Sequence, residues 1–391
     1  MSDINIDLIK LYFINLIKSV LNPSENEIDK MPSLSLDEEK FLFKLAKEQD
    51  LAHLIAFAIK DNNLLKDDTV KQKFNKMKFL AVMRREQQAY EFNAIKKTFN
   101  EQKIPFIPLK GAILCSYYPQ DWLRTSCDID ILVKEQDLER AVNALTSING
   151  YTTDNKINYH DVSLFSPSNV HLELHFNVLE AQENLDKGLS LIWNYASQIE
   201  DGGYECQLTN EFVVFHMIAH MVYHFLKGGC GVRTIMDVYV AQRELELNKD
   251  KLYQLLEMCN ITKFYDSITE LTNVWFSNAK HNKTTKMLEN YVLSGGIYGS
   301  LENRMKVDGT KVEGKKAHVI RRIFCPYSIM KNRYPILRKH KWLLPFYEIV
   351  RWVQTIFSGK TKRLKREIEI LNNTSDSEKA EFREFLDEIG L

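Results

Sequence analysis

The sequence has no C-x-x-C pair. Its six cysteines, Cys115, Cys127, Cys206, Cys230, Cys259 and Cys325, are widely scattered. That excludes a zinc ribbon and a thioredoxin-like motif, and it reads as free thiols in a reducing compartment. Proline and glycine are scarce, at 9 and 15 of 391 residues, so the chain is neither collagen-like nor Gly/Pro-rich and disordered. Net charge is missing too. Lys plus Arg and Asp plus Glu both total 52, which excludes an electrostatic grip on nucleic acid by the whole molecule and leaves a local patch open. No run of apolar residues reaches membrane length, and Asp7, Lys10 and Lys18 interrupt the apolar N-terminal stretch. Asp3 and Asp7 stand where a signal peptide carries basic residues. The expectation is a soluble, cytoplasmic protein without a transmembrane segment.

What is present is a globular composition, 45% hydrophobic and 27% charged. At roughly 150 residues per domain the length suggests two or three units. Residues 1–100 read as helical. Ser35-Leu-Asp-Glu38 is a capping box, and a long helix is predicted over about 70–101, with Phe74, Met77, Ala81, Phe92, Ile95 and Phe99 at helical spacing. The texture changes at residue 103. A short strand ends in the Lys110-Gly111 turn, a short helix follows over 112–118, and Asp128–Val133 is a strand. Residues 135–148 form an amphipathic helix, and 160–166 and 170–178 are two further strand candidates. The order β-α-β-α-β-β marks a small mixed α/β unit over 101–205. Helices resume over 206–391, with predicted spans from Thr209 to about 226 and over about 232–247. The fold class is therefore α+β, a small mixed sheet embedded in a mostly helical protein.

Three short patterns carry chemistry. In Asp128-Ile129-Asp130 the two carboxylates share one strand face, and both stay ionised cheaply only with a cation between them. Mg²⁺, a hard oxygen-seeking ion, is the candidate, and a solvated acidic pair is the plain alternative. In His171-Leu-Glu173-Leu-His175 strict alternation puts three ionisable groups on one face, either at a site or on an exposed strand. In Leu109-Lys110-Gly111 the glycine lets backbone approach a phosphate and Lys110 adds positive charge, or the glycine merely serves a turn.

Taken together with Tyr118-Pro119, Arg124, Gly150-Tyr151 and the later Arg233-x-x-x-Asp237, these patterns resemble the uncharacterised nucleotidyltransferase family of the DNA-polymerase-β-like superfamily. The resemblance covers about residues 100–245 well and the rest loosely. It implies transfer of NMP from an NTP, ATP by default, to a hydroxyl of a small-molecule acceptor. It further implies that Asp128, Asp130 and Glu173 hold two Mg²⁺ ions and that Glu173 could also take the proton of the attacking hydroxyl. Lys110 and Gly111 would cradle phosphates, Arg124 would meet developing charge, and His175 and His224 would contact the nucleotide. One departure stands out. Ala112 follows Gly111 where many relatives have serine, which removes one phosphate contact and leaves a catalytically silent nucleotide-binding or scaffold protein as an alternative.

Two features remain. His216, His220 and His224 recur every four residues on one predicted helix. They read as a polar stripe bonded to backbone or to Asp237, as substrate contacts together with Lys227 and Arg233, or as metal ligands. Residues 315–366 contain 15 Lys or Arg against one acid, Glu348. With Trp342, Phe346, Tyr347 and Trp352 interleaved, this stretch reads as core aromatics with solvated cations, or as a surface for nucleic acid or acidic membrane.

Overall fold

The computed structural model describes residues 4–25, 28–60, 64–199, 203–296, 299–311, 324–357, 366–367, 369–370 and 373–391. The N-terminal helices are α1 (Ile6–Leu21), α2 (Leu36–Glu48), α3 (Ala52–Ala58) and α4 (Asp68–Glu101). The predicted capping box forms at α2, with Ser35 and Glu38 each bonding the other's backbone. Helix α4 starts two residues before its predicted span. Asp67 accepts from the Thr69 and Val70 amides, a cap that apolar spacing cannot reveal.

A five-stranded mixed sheet follows. Its strands are β1 (Phe106–Pro108), β2 (Asp128–Val133), β3 (Thr152–Ile157), β4 (Asp161–Phe165) and β5 (His171–His175), in the order β1-β2-β5-β4-β3. Among the described strands of this sheet, only β2 and β5 pair in parallel. Helix α5 (Gly111–Leu114) follows β1, and α6 (Leu138–Ser147) links β2 to β3. Strand β3 is missing from the sequence reading because Thr152-Thr-Asp-Asn-Lys-Ile157 is polar and lacks the apolar alternation that marks a half-buried strand.

Beyond the sheet come α7 (Glu183–Leu189), the small ribbon β6 (Ala196–Gln198) and β7 (Cys206–Leu208), and then helices α8 (Asn210–Leu226), α9 (Val232–Glu244), α10 (Lys249–Met258) and α11 (Thr262–Phe276). Alternation splits the sheet's side chains between two environments. Ile129, Ile131, Leu172 and Leu174 enter a core shared with Ile95 and Phe99 of α4. A second, larger core takes Ile107 and Leu132 of the sheet together with Phe13, Phe212, Phe264 and Phe385. Buried polar contacts lock the N-terminal helices to the rest. Gln49 donates to the Val292 and Leu293 carbonyls and accepts from the Val232 amide, and His53 pairs with the Leu123 carbonyl.

No helix among the described residues is long and apolar enough to cross a membrane. The basic run at 360–365 and residues 315–323 lie outside the described residues. In and just before the neighbouring helix Leu344–Phe357, two of the four aromatics depart from the expectation of core aromatics, while Tyr347 and Trp352 are half-buried. Trp342 and Phe346 are 76% and 59% exposed, and Phe346, Ile349 and Val353 form an outward stripe at helical spacing.

Candidate active site

The site is set by register. In the parallel pair, Asp128 lies beside His171 and Asp130 beside Glu173. Side chains at i and i+2 share a face, so the face opposite the apolar core gathers Asp128, Asp130, His171, Glu173 and His175. Two triads of potential ligand atoms result: Asp128, His171 and Glu173, and Asp130, Glu173 and His175. His175 Nε2 lies 3.0 Å from Asp130 Oδ1 and 3.5 Å from Glu173 Oε2, and so holds both carboxylates.

Lys110 closes this face, its Nζ 3.3 Å from Asp130 Oδ1. The left-handed backbone of the turn falls on Lys110, with φ 44°, and not on Gly111. Gly111 serves space instead, because a Cβ there would run into Nη1 of Arg124 and crowd Ser126. Helix α5 has only four residues, so the positive charge near the turn comes from Lys110 and Arg124 and little from a helix dipole.

Arg124 is fully engaged on one side. Its Nε and Nη2 donate to Asp237 at 3.3 and 2.9 Å, and the Tyr118 hydroxyl donates to the same carboxylate at 2.7 Å. Asp237 thus serves Arg124 and Tyr118, and His220 and His224 find other partners. Arg233 donates to the Thr125 carbonyl and pairs with Asp50, tying the same loop to α9.

The electrostatics of the sheet face are unbalanced. Burial, then the Asp130 and Glu173 carboxylates, push Asp128 up to about 6. Burial would raise Asp130 as well, but Lys110 and the His175 hydrogen bond hold it well below the ordinary range. The His175 hydrogen bond lowers Glu173. Burial opposes charge on Lys110, yet the three carboxylates keep its pKa raised.

A cavity of about 450 Å³ opens over this face. Lys110, Arg124, Asp128, Asp130 and Glu173 line one side, and His216, His220 and His224 of α8 line the other, with Arg233 at the edge. Lys227, expected as a contact, is not among the lining residues. The stripe bonds as a chain. His220 Nδ1 lies 2.6 Å from Glu180 Oε1, and His224 Nε2 lies 2.9 Å from His220 Nε2. Glu180 was missed by the sequence reading because it sits in a loop after β5 with no periodicity around it. A second cavity, of about 580 Å³ and walled by Phe41, Tyr291 and Phe382, shares no residue with the first.

No curated protein and no solved structure matches the chain. A family model, described as uncharacterised nucleotidyltransferase, matches residues 36–277 and so reaches beyond the stretch of 100–245 that carries the sequence resemblance. That span contains the parallel strand pair, the Lys110 turn and both walls of the cavity. The chain belongs to the uncharacterised nucleotidyltransferase family, and its reaction class is nucleotidyl transfer.

Proposed function

We propose that this chain moves NMP from an NTP, ATP being the default donor, to a hydroxyl of a small-molecule acceptor, with Mg²⁺ as cofactor. The observation that supports this most directly is the meeting of Asp128, Asp130 and Glu173 on one sheet face, where Asp128 is pushed up to about 6. Such a face costs free energy until a cation sits between the carboxylates. The donor set is mainly carboxylate oxygen, which suits a hard ion, and it divides into two ligand groups that share Glu173. Asp128, Asp130 and Glu173 would hold the ions. When bound, Mg²⁺ supplies charge neutralisation at the transferring phosphate.

The chain's own groups position the rest. Lys110 and Arg124, both in the cavity lining, would meet phosphate charge, and Asp237 keeps Arg124 aimed. Gly111 leaves the space that Nη1 of Arg124 fills. His175 fixes the rotamers of Asp130 and Glu173. This is catalysis by positioning and charge, as phosphoryl chemistry requires.

Calorimetric titration of the four NTPs, with and without Mg²⁺, tests the reading. The expected result is Mg²⁺-dependent binding by the wild type that disappears in Asp128→Asn/Asp130→Asn. Absence of NTP binding by the wild type would favour the silent scaffold that Ala112 suggests.

A further inference from the structure

The histidine wall carries a chemistry of its own. We propose that Glu180, His220 and His224 form a proton relay that takes the proton of the attacking hydroxyl, which makes the α8 wall the acceptor side of the cavity. This rests on the nucleotidyl-transfer reading above.

The hydrogen bonds set a direction. Glu180 as a carboxylate can only accept, so His220 Nδ1 carries the hydrogen of the 2.6 Å contact. His220 Nε2 is then a bare acceptor. His224 Nε2 must carry the hydrogen of the 2.9 Å contact. His224 Nδ1 is left as a lone pair, and it makes no hydrogen bond among the described residues. A residue of the cavity lining thus ends the chain with a base.

The alternative base is poorly placed for the task. Glu173 Oε2 is held by His175 at 3.5 Å, and the residue would be committed to the cation. The relay differs in every respect. Burial pushes His224 down to about 4 and His220 well below its ordinary value, so both stay neutral. Burial pushes Glu180 up to about 7. Conduits that resist charge therefore end in an acid that can hold a proton at neutral pH.

The step balances. The acceptor oxygen forms a bond to the α-phosphorus, and the bond from that phosphorus to the bridging oxygen breaks, with its electron pair leaving on pyrophosphate. The hydroxyl proton goes to His224 Nδ1. The Nε2 hydrogen of His224 moves to His220 Nε2, and the Nδ1 hydrogen of His220 moves to Glu180. Both imidazoles end neutral with exchanged tautomers, and Glu180 later loses the proton to solvent.

Several charged groups face the relay. Lys110 approaches from the β1–α5 turn, His175 from β5, Asp186 from α7, and Tyr223, Lys227 and His216 from α8 or its end. A chamber of about 20 Å³, room for one water, brings Lys110, His175, Glu180 and His220 together. Lys110 favours the carboxylate form of Glu180, the resting state of the relay.

The deciding measurement is nuclear magnetic resonance of the full chain with ¹⁵N-histidine and ¹³C-glutamate labels. His220 should be hydrogenated at Nδ1 and bare at Nε2, and His224 hydrogenated at Nε2. One glutamate should titrate near neutral pH, and its signal should vanish in Glu180→Gln. The opposite tautomer at His220, an imidazolium at either residue at neutral pH, or no such glutamate would overturn the relay. Mg²⁺-ATP is the probe in the second arm. Glu180→Gln should bind it unchanged, yet release pyrophosphate, with water as the attacking hydroxyl, about a hundredfold more slowly. It should also lose the rise in rate with pH that Glu180 ionisation gives the wild type. Equal rates and profiles would overturn the relay. Failure of the wild type to bind Mg²⁺-ATP would instead strike the transfer reading, and the tautomers would still judge the relay.

Discussion

The sheet wall and the helix wall face each other across one cavity, and each carries ionisable side chains at a regular spacing. On the sheet, a period of two in parallel register drives carboxylates together and forces Lys110 and His175 to compensate them. On α8, a period of four stacks imidazoles among apolar neighbours such as Phe215, Ile218 and Met221, and burial keeps them neutral. The first wall is fixed charge awaiting a cation. The second is a row of neutral donors and acceptors. A transferase needs both, because phosphate needs charge and a hydroxyl needs a base.

The sharpest break falls on the sheet wall. Asp130→Asn keeps the shape and removes the charge that Lys110 and His175 both serve. The expected loss of Mg²⁺-dependent transfer is on the order of a thousandfold, read as pyrophosphate release, with little change in the folded state. Unchanged activity would sink the metal assignment. Asp237→Ala comes next and acts on the frame. It strands Arg124, which is 9% exposed, without its partner and removes the acceptor of the Tyr118 hydroxyl. Loss of one member of such a buried pair costs about 3–5 kcal/mol, measurable by urea unfolding.

A milder test uses pH. Asp128, pushed up to about 6, must be ionised to hold a cation. Protons therefore compete with Mg²⁺ as pH falls through 6, and Mg²⁺ affinity should drop by up to about tenfold per pH unit below it. A flat profile between pH 7 and 5 would show that Asp128 is no ligand. Gly111→Ala probes the same wall by volume. The methyl meets Arg124 and Ser126, so Arg124 must shift. NTP affinity should weaken by about tenfold, and stability should fall by about 1–3 kcal/mol.

The two walls differ in how legible they were. Asp128, Asp130, Glu173 and His175 were readable because strand alternation fixes which side chains share a face, whatever the register. The pairing of β2 with β5 was not readable, since strand order depends on long-range contacts. The histidine spacing was plain, but its meaning depended on Glu180, which only the chain path after β5 brings to α8. The sequence offers Asp237 as one possible partner of the histidines. Its partners are Arg124 and Tyr118, 113 and 119 residues away, and no local pattern encodes such contacts. The fold class was legible from the change of texture at residue 103, whereas the polar strand β3 was not.

The smallest effect is the cleanest test of neutrality on the helix wall. Burial, aided by Lys110 and His175, pushes His216 down to about 3. In the unfolded chain a histidine takes up a proton near pH 6.5. At pH 7 roughly a quarter of the unfolded state and almost none of the folded state is protonated, so His216 adds only a weak pH dependence there. As pH falls below 6.5 the unfolded state binds a proton that the folded state refuses, and stability falls by up to about 1.4 kcal/mol per pH unit. His216→Leu removes that proton. The variant should differ from wild type by about 1 kcal/mol or less at pH 7, and should gain on it by about 1 kcal/mol at pH 5.5, both read from urea midpoints. A variant that instead loses ground on acidification would mean that His216 is protonated in the fold, and the helix wall would then be a cationic surface facing the carboxylates of the sheet.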